Sequence, residues 1–70
     1  MEMDKPMKDK NYNLVSVLYH ALQGSETCST YLQDAAMSSD KELADFFTEV
    51  HTRYRQIADR AKELLSPRLK

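Results

Sequence analysis

The sequence predicts an all-α fold, an antiparallel two-helix hairpin that pairs with a second copy into a four-helix bundle. Three observations lead there. Apolar and small residues recur at helical spacing over two stretches of similar length, about 12–37 and 40–65. A short polar connection, "MSSDKE", separates them, and short connections join antiparallel neighbours. A chain of 70 residues with one cysteine has little core and no internal disulfide, so chains of this size lean on a metal or a partner subunit.

The elements follow in order. Residues 1–10, "MEMDKPMKDK", are charged, contain Pro6 and lack apolar periodicity, and read as a disordered lead-in. The hairpin spans 11–66. Helix 1 starts at Asn11 or Asn13 as N-cap and carries Leu14, Val17, Leu18, Ala21, Cys28, Tyr31, Leu32, Ala35 and Ala36. Positions 14, 21, 28 and 35 are heptad-spaced, and this line keeps its phase across Gly24. A continuous helix that uses Gly24 for close approach is therefore expected, although glycine costs about 1 kcal/mol against alanine within a helix. With Val15, Leu22 and Tyr31 included, the apolar arc covers about half the helix circumference, wide for a surface helix.

The connection carries a capping-box pattern, Ser39 with Glu42 three residues on, in which hydroxyl and carboxylate satisfy backbone donors at the helix start. Helix 2 then sets Leu43, Phe46, Phe47, Val50, Tyr54, Ile57, Ala58, Ala61, Leu64 and Leu65 on one face, opposite Lys41, Asp45, Thr48, Thr52, Arg55, Asp59, Lys62 and Glu63. Pro67 lacks the N–H that a continuing helix needs, so helix 2 should end near Leu65, leaving 67–70 as an unstructured tail. A lone hairpin leaves half of each stripe wet, whereas two hairpins back to back cover both. The expected core and dimer interface comprises Leu14, Leu18, Ala21, Cys28, Leu32, Phe46, Phe47, Val50, Tyr54, Ile57 and Ala61.

Composition narrows the function. Ten Lys and Arg face 11 Asp and Glu, a net charge of −1, which argues against nucleic-acid binding, a process driven by phosphate neutralisation on a basic surface. No stretch approaches the roughly 18 apolar residues of a spanning helix, and residues 1–10 lack the apolar run of a signal peptide. A cytoplasmic protein with no membrane partner is expected, in keeping with a free thiol in a reducing compartment.

Four side chains could carry chemistry: His20, Glu26, Glu49 and His51. Residues two apart on a helix diverge by about 160°, so Glu49 and His51 fall on opposite flanks of the stripe and cannot easily share an ion within one chain. Glu49 and Arg53 make an i,i+4 pair of the favourable orientation, and Glu26 could meet Arg53 or Arg60 across an interface. His51 borders the apolar face, where packing is its simplest role. His20 would need a nucleophile or pocket that nothing nearby supplies. Cys28 lies on the heptad line as a small hydrophobe.

The stretch "YHALQGSETCSTYLQDA" with Glu26, followed by "ELADFFTEV" with Glu49, resembles one helical-hairpin half of the ferritin-like and rubrerythrin-like superfamily. That resemblance implies a four-helix bundle in which inward glutamates and Glu-x-x-His motifs bind two metal ions, with Glu26 and Glu49 as the helix-1 and helix-2 glutamates. The motif histidine would stand at position 52, which is Thr52. Two function classes follow. The first is a non-enzymatic homodimeric interaction module, with itself as partner, another protein as an optional further one, and no cofactor. The alternative is a ferritin-like metal carboxylate protein of the di-iron type. It would hold iron or manganese between subunits on Glu26 and Glu49, with His20 or His51 as further ligands.

Overall fold

A helix start leaves backbone N–H groups without partners, and the aspartate before Lys10 supplies one. In the computed structural model, which describes residues 9–69, Asp9 Oδ1 accepts from the N–H of Asn11 at 3.0 Å and of Tyr12 at 3.1 Å. Helix α1 thus runs Lys10–Met37. The start expected at Asn11 or Asn13 is corrected to Asp9, whose carboxylate caps as well as asparagine does and adds a negative charge beside the helix dipole. Of the lead-in read as disordered, 1–8 lie outside the described residues, whereas Asp9 and Lys10 form this helix start.

Helix α1 passes through Gly24 without interruption, and Gly24 has no positive φ. Its role is spatial. A Cβ there would lie 2.6 Å from Cζ and 2.8 Å from both Cε carbons of Tyr54, so the Tyr54 ring lies where a side chain at 24 would begin.

The turn differs from the expected capping box. Ser39 has φ 60°, in the left-handed region, and it ends α1 as the penultimate residue of a Schellman motif. Its N–H donates to Ala36 O at 3.1 Å and that of Asp40 to Ala35 O at 2.9 Å. A residue in that conformation cannot also cap the next helix, which needs extended backbone. Asp40 takes the role instead: its Oδ1 accepts from Leu43 N at 3.2 Å, and its carbonyl accepts from Ala44 N at 3.0 Å. Helix α2 accordingly runs Lys41–Leu65, one residue later than expected at its start.

After Leu65, Ser66–Leu69 make a 3-10 turn in which Arg68 Nε donates to Leu64 O at 2.9 Å. The segment expected to be an unstructured tail is therefore ordered as far as Leu69, because Pro67 stops the α-helix but tolerates the tighter turn. Lys70 lies outside the described residues. Among the described residues the protein is all-helical, with no strand.

The two helices pack antiparallel in a single layer 13 Å thick, about one helix diameter. Gly24 meets Tyr54, and the rings of Tyr31 and Phe47 lie 5.6 Å apart. Leu14 shares a groove with Leu64. Each pair's residue numbers have the same sum, which fixes one register along the hairpin. The inward line of α1 is Leu14, Leu18, Ala21, Ser25, Cys28, Leu32 and Ala35. That of α2 is Ala44, Phe47, His51, Tyr54, Ala58, Ala61 and Leu65. Every member of both lines is buried or half-buried. The fully buried ones are small: Ala21, Ser25, Cys28 and Ala35 against Ala58 and Ala61. Among the described residues no large side chain is completely enclosed. Alanines let the backbones approach closely, and they leave the larger residues on the flanks.

Candidate functional site

One residue before each inward position of α2 lies a second line with the same heptad spacing: Leu43, Phe46, Val50, Arg53, Ile57, Arg60 and Leu64. It faces away from the seam. Phe46 is 55% exposed, Ile57 46% and Leu43 45%, and from α1 Val17 and Tyr31 join the same side, 50% and 48% exposed. Two grooves run along this side and share Arg53 and Ile57, so they are continuous. One, of about 420 Å³, lies between the helices over Leu14, Val17, Ile57 and Leu64, and the other, of about 280 Å³, lies over Phe46, Val50 and Tyr54. Phe46 and Phe47 tilt against each other at 5.7 Å, and Phe47 meets Tyr31, so the rings form a short aromatic run near the turn.

The charged residues of this face are paired within their own helix. Arg53 Nη2 donates to Glu49 Oε2 at 3.1 Å, and Arg60 Nη1 donates to Glu63 Oε1 at 3.1 Å. Both partners of each pair are mostly exposed, so each contributes about 0–1 kcal/mol. Arg53 differs from Arg60 in position, since it lines both grooves at the middle of the apolar line.

Of the expected core and interface residues, Ala21, Cys28 and Ala61 are buried. Leu14, Leu18, Leu32, Phe47, Val50 and Tyr54 are half-buried, and Phe46 and Ile57 are exposed in the single chain. Ser25 is buried although the sequence offered only its place beside Gly24. Its spacing of four from Ala21 and three from Cys28 was the available signal.

The four candidate metal-site residues occupy different parts of the hairpin. Glu49 sits at the rim of the groove over Phe46 and is held by Arg53. Glu26 is exposed one turn beyond Leu22. That places it on the outer side of α1, where Tyr12, Val15 and Tyr19 line a separate hollow. His20 is exposed, with Nδ1 2.9 Å from Ser16 O and its ring edge-on to Tyr19 at 5.4 Å. His51 lies half-buried in the seam, at the level of Cys28. Among the described residues no three His, Cys, Asp or Glu side chains gather where an ion could be held. Within one chain, then, these residues do not make a ligand set. Arg53 and Arg60 take their carboxylates from Glu49 and Glu63, with Glu26 bound to neither.

No helix among the described residues is long and apolar enough to cross a membrane. Compared with known proteins, the chain matches no family model, no curated protein and no solved structure. The likeness to half of a ferritin-like bundle thus stands on helical pattern and two glutamates alone. What the face offers is an open apolar surface with a charged rim, suited to receiving apolar side chains from another helix.

Proposed function

We propose that this protein is a non-enzymatic interaction module that pairs with a second copy through the Phe46–Ile57 face, making a four-helix bundle. The observation behind the proposal is the distribution of side-chain size. The fully buried residues of the single hairpin are alanine, serine and cysteine, and while Phe47, Tyr54 and Leu65 are half-buried against α1, Leu43, Phe46 and Ile57 of α2 remain about half exposed. Burying a Phe, Ile or Leu side chain is worth about 1.5–3 kcal/mol, so Leu43, Phe46 and Ile57, each about half exposed, stand to gain from a partner that covers this face. An isologous contact meets the need without a second protein, because the same face is present on every copy.

Sedimentation equilibrium at micromolar concentration tests the proposal. A dimer is expected, and a stable folded monomer would remove it. Metal analysis of the same sample tests the ferritin-like alternative, which requires iron or manganese bound stoichiometrically and lost in both Glu26→Gln and Glu49→Gln. In a pairing through the Phe46–Ile57 face Glu26 stays on the far side of α1 from Glu49, which favours the module without metal.

A further inference from the structure

Arg53 is the middle residue of α2, Lys41–Leu65, and it interrupts the outward apolar line at its centre. We infer that Glu49 and Arg53, with the same two residues of a second copy, form a four-residue ion cluster on the two-fold axis of the dimer. This cluster, together with the apolar residues on either side of it, sets the direction and register in which the two α2 helices pair. The inference rests on the dimer proposed above and adds the residues that decide how its halves meet.

An isologous contact sets the same surface against itself. Two α2 helices laid antiparallel about their common middle bring Arg53 beside the Arg53 of the second copy. Two guanidiniums so close repel, and a desolvated charge without a counter-charge is costly. Glu49 already holds Arg53 at 3.1 Å and lies four residues back, about 6 Å along the axis at 1.5 Å per residue. The antiparallel arrangement sets one Glu49 on either side of the arginine pair, where each carboxylate is within reach of both guanidiniums. Parallel helices would keep the arginines level but bring the two glutamates level as well, adding a carboxylate repulsion that the antiparallel arrangement avoids.

The same register fits the rest of the line. Val50 meets Ile57 and Leu43 meets Leu64, each to within one residue, and Arg60 falls at the level of the second copy's Phe46. Phe46 exposes its ring, which a guanidinium can cover. Sliding the helices by one turn towards Ile57 moves each Arg53 away from the second copy's Glu49, and sliding towards Val50 keeps that carboxylate but sets Leu43 against Arg60 and breaks the apolar match. Polar positions in an apolar line, here Arg53 and Arg60, fix register in this way in coiled coils, at some cost in stability.

Charge reversal tests the cluster with the full chain. Glu49→Arg makes it wholly cationic and Arg53→Glu wholly anionic. Each variant alone is expected to self-associate at least about tenfold more weakly than the wild type, and an equimolar mixture to recover pairing as a heterodimer. Sedimentation equilibrium and native mass spectrometry read both effects, with circular dichroism following helix content. Wild-type-like self-association of both variants, or no gain on mixing, overturns the inference. If a variant loses helicity alone, recovery on mixing supports the cluster and lack of recovery overturns it. A monomeric wild type would instead defeat the dimer itself, and the two failures are told apart by that one control.

Discussion

Along α2 two lines of residues share one spacing and sit one residue apart, yet they do different work. The inward line closes on α1 through Ala58 and Ala61, both buried, while the outward line leaves Leu43, Phe46 and Ile57 at 45–55% exposure. Both have the periodicity of a packed helix, so periodicity does not distinguish them. Position against α1 does. Ala58 and Ala61 let α1 lie close, and Phe47, Tyr54 and Leu65 are half-buried with them, whereas Leu43, Phe46 and Ile57 stay about half exposed in the single chain. A hairpin can thus have a well-formed seam and still leave several large apolar side chains outside it.

The largest expected effect comes from breaking the outward line. Phe46→Glu and Ile57→Glu each place a carboxylate in the middle of the proposed contact, where hot-spot truncations cost about 2 kcal/mol or more. Each should weaken dimerisation by about thirtyfold or more, as read by sedimentation equilibrium. Thr48→Glu, on the polar side of the same helix, serves as the control and should leave it unchanged.

The seam is sharpened by a double-mutant cycle on Gly24 and Tyr54. Gly24→Ala gains up to about 1 kcal/mol of helix propensity, but in the wild type its Cβ falls 2.6 Å from the Tyr54 ring and forces that ring aside. The gain should appear only in a Tyr54→Leu background. Urea denaturation should then return a coupling of about 1 kcal/mol, within the range for residues in contact. Additive effects would mean that the ring does not rest on Gly24.

The smallest effect separates the residues of the turn. Asp40→Ala removes the carboxylate that accepts from Leu43 and should cost about 1 kcal/mol. Ser39→Gly should stabilise by up to about 1 kcal/mol, since glycine adopts positive φ without a Cβ penalty. Thermal melts of the two variants should therefore shift in opposite directions.

Much of the hairpin was legible because its signals are long. The heptad line through Leu14, Ala21, Cys28 and Ala35 carries α1 across Gly24, and Pro67 stops α2 at Leu65. The ends were not legible to the residue, because several good caps stand side by side. Asp9, Asn11 and Asn13 share the same capping chemistry, as do Ser38, Ser39 and Asp40, and the choice falls to the backbone path that closes α1. At the site, the Glu49–Arg53 pair follows from its i,i+4 spacing. Which apolar line of α2 faces α1 did not follow, since the two were read together as one stripe. The alanines at 58 and 61 beside Phe46 and Ile57 held that information in their volumes.

Asp40 closes α1 with its N–H and opens α2 with its carboxylate, so no spare residue lies between the helices, and the joint works as a gear with fixed phase. One residue inserted there would turn α2 by about 100°. Each inward position would then be taken by the residue before it: Phe46 would replace Phe47, Ile57 would replace Ala58, and Arg53 and Arg60 would face α1. The alanine seam would point to solvent, and the face offered to a second copy would vanish into the hairpin. The length of three residues from Ser38 to Asp40 thus decides which of two equivalent spacings becomes the inside and which becomes the exposed face.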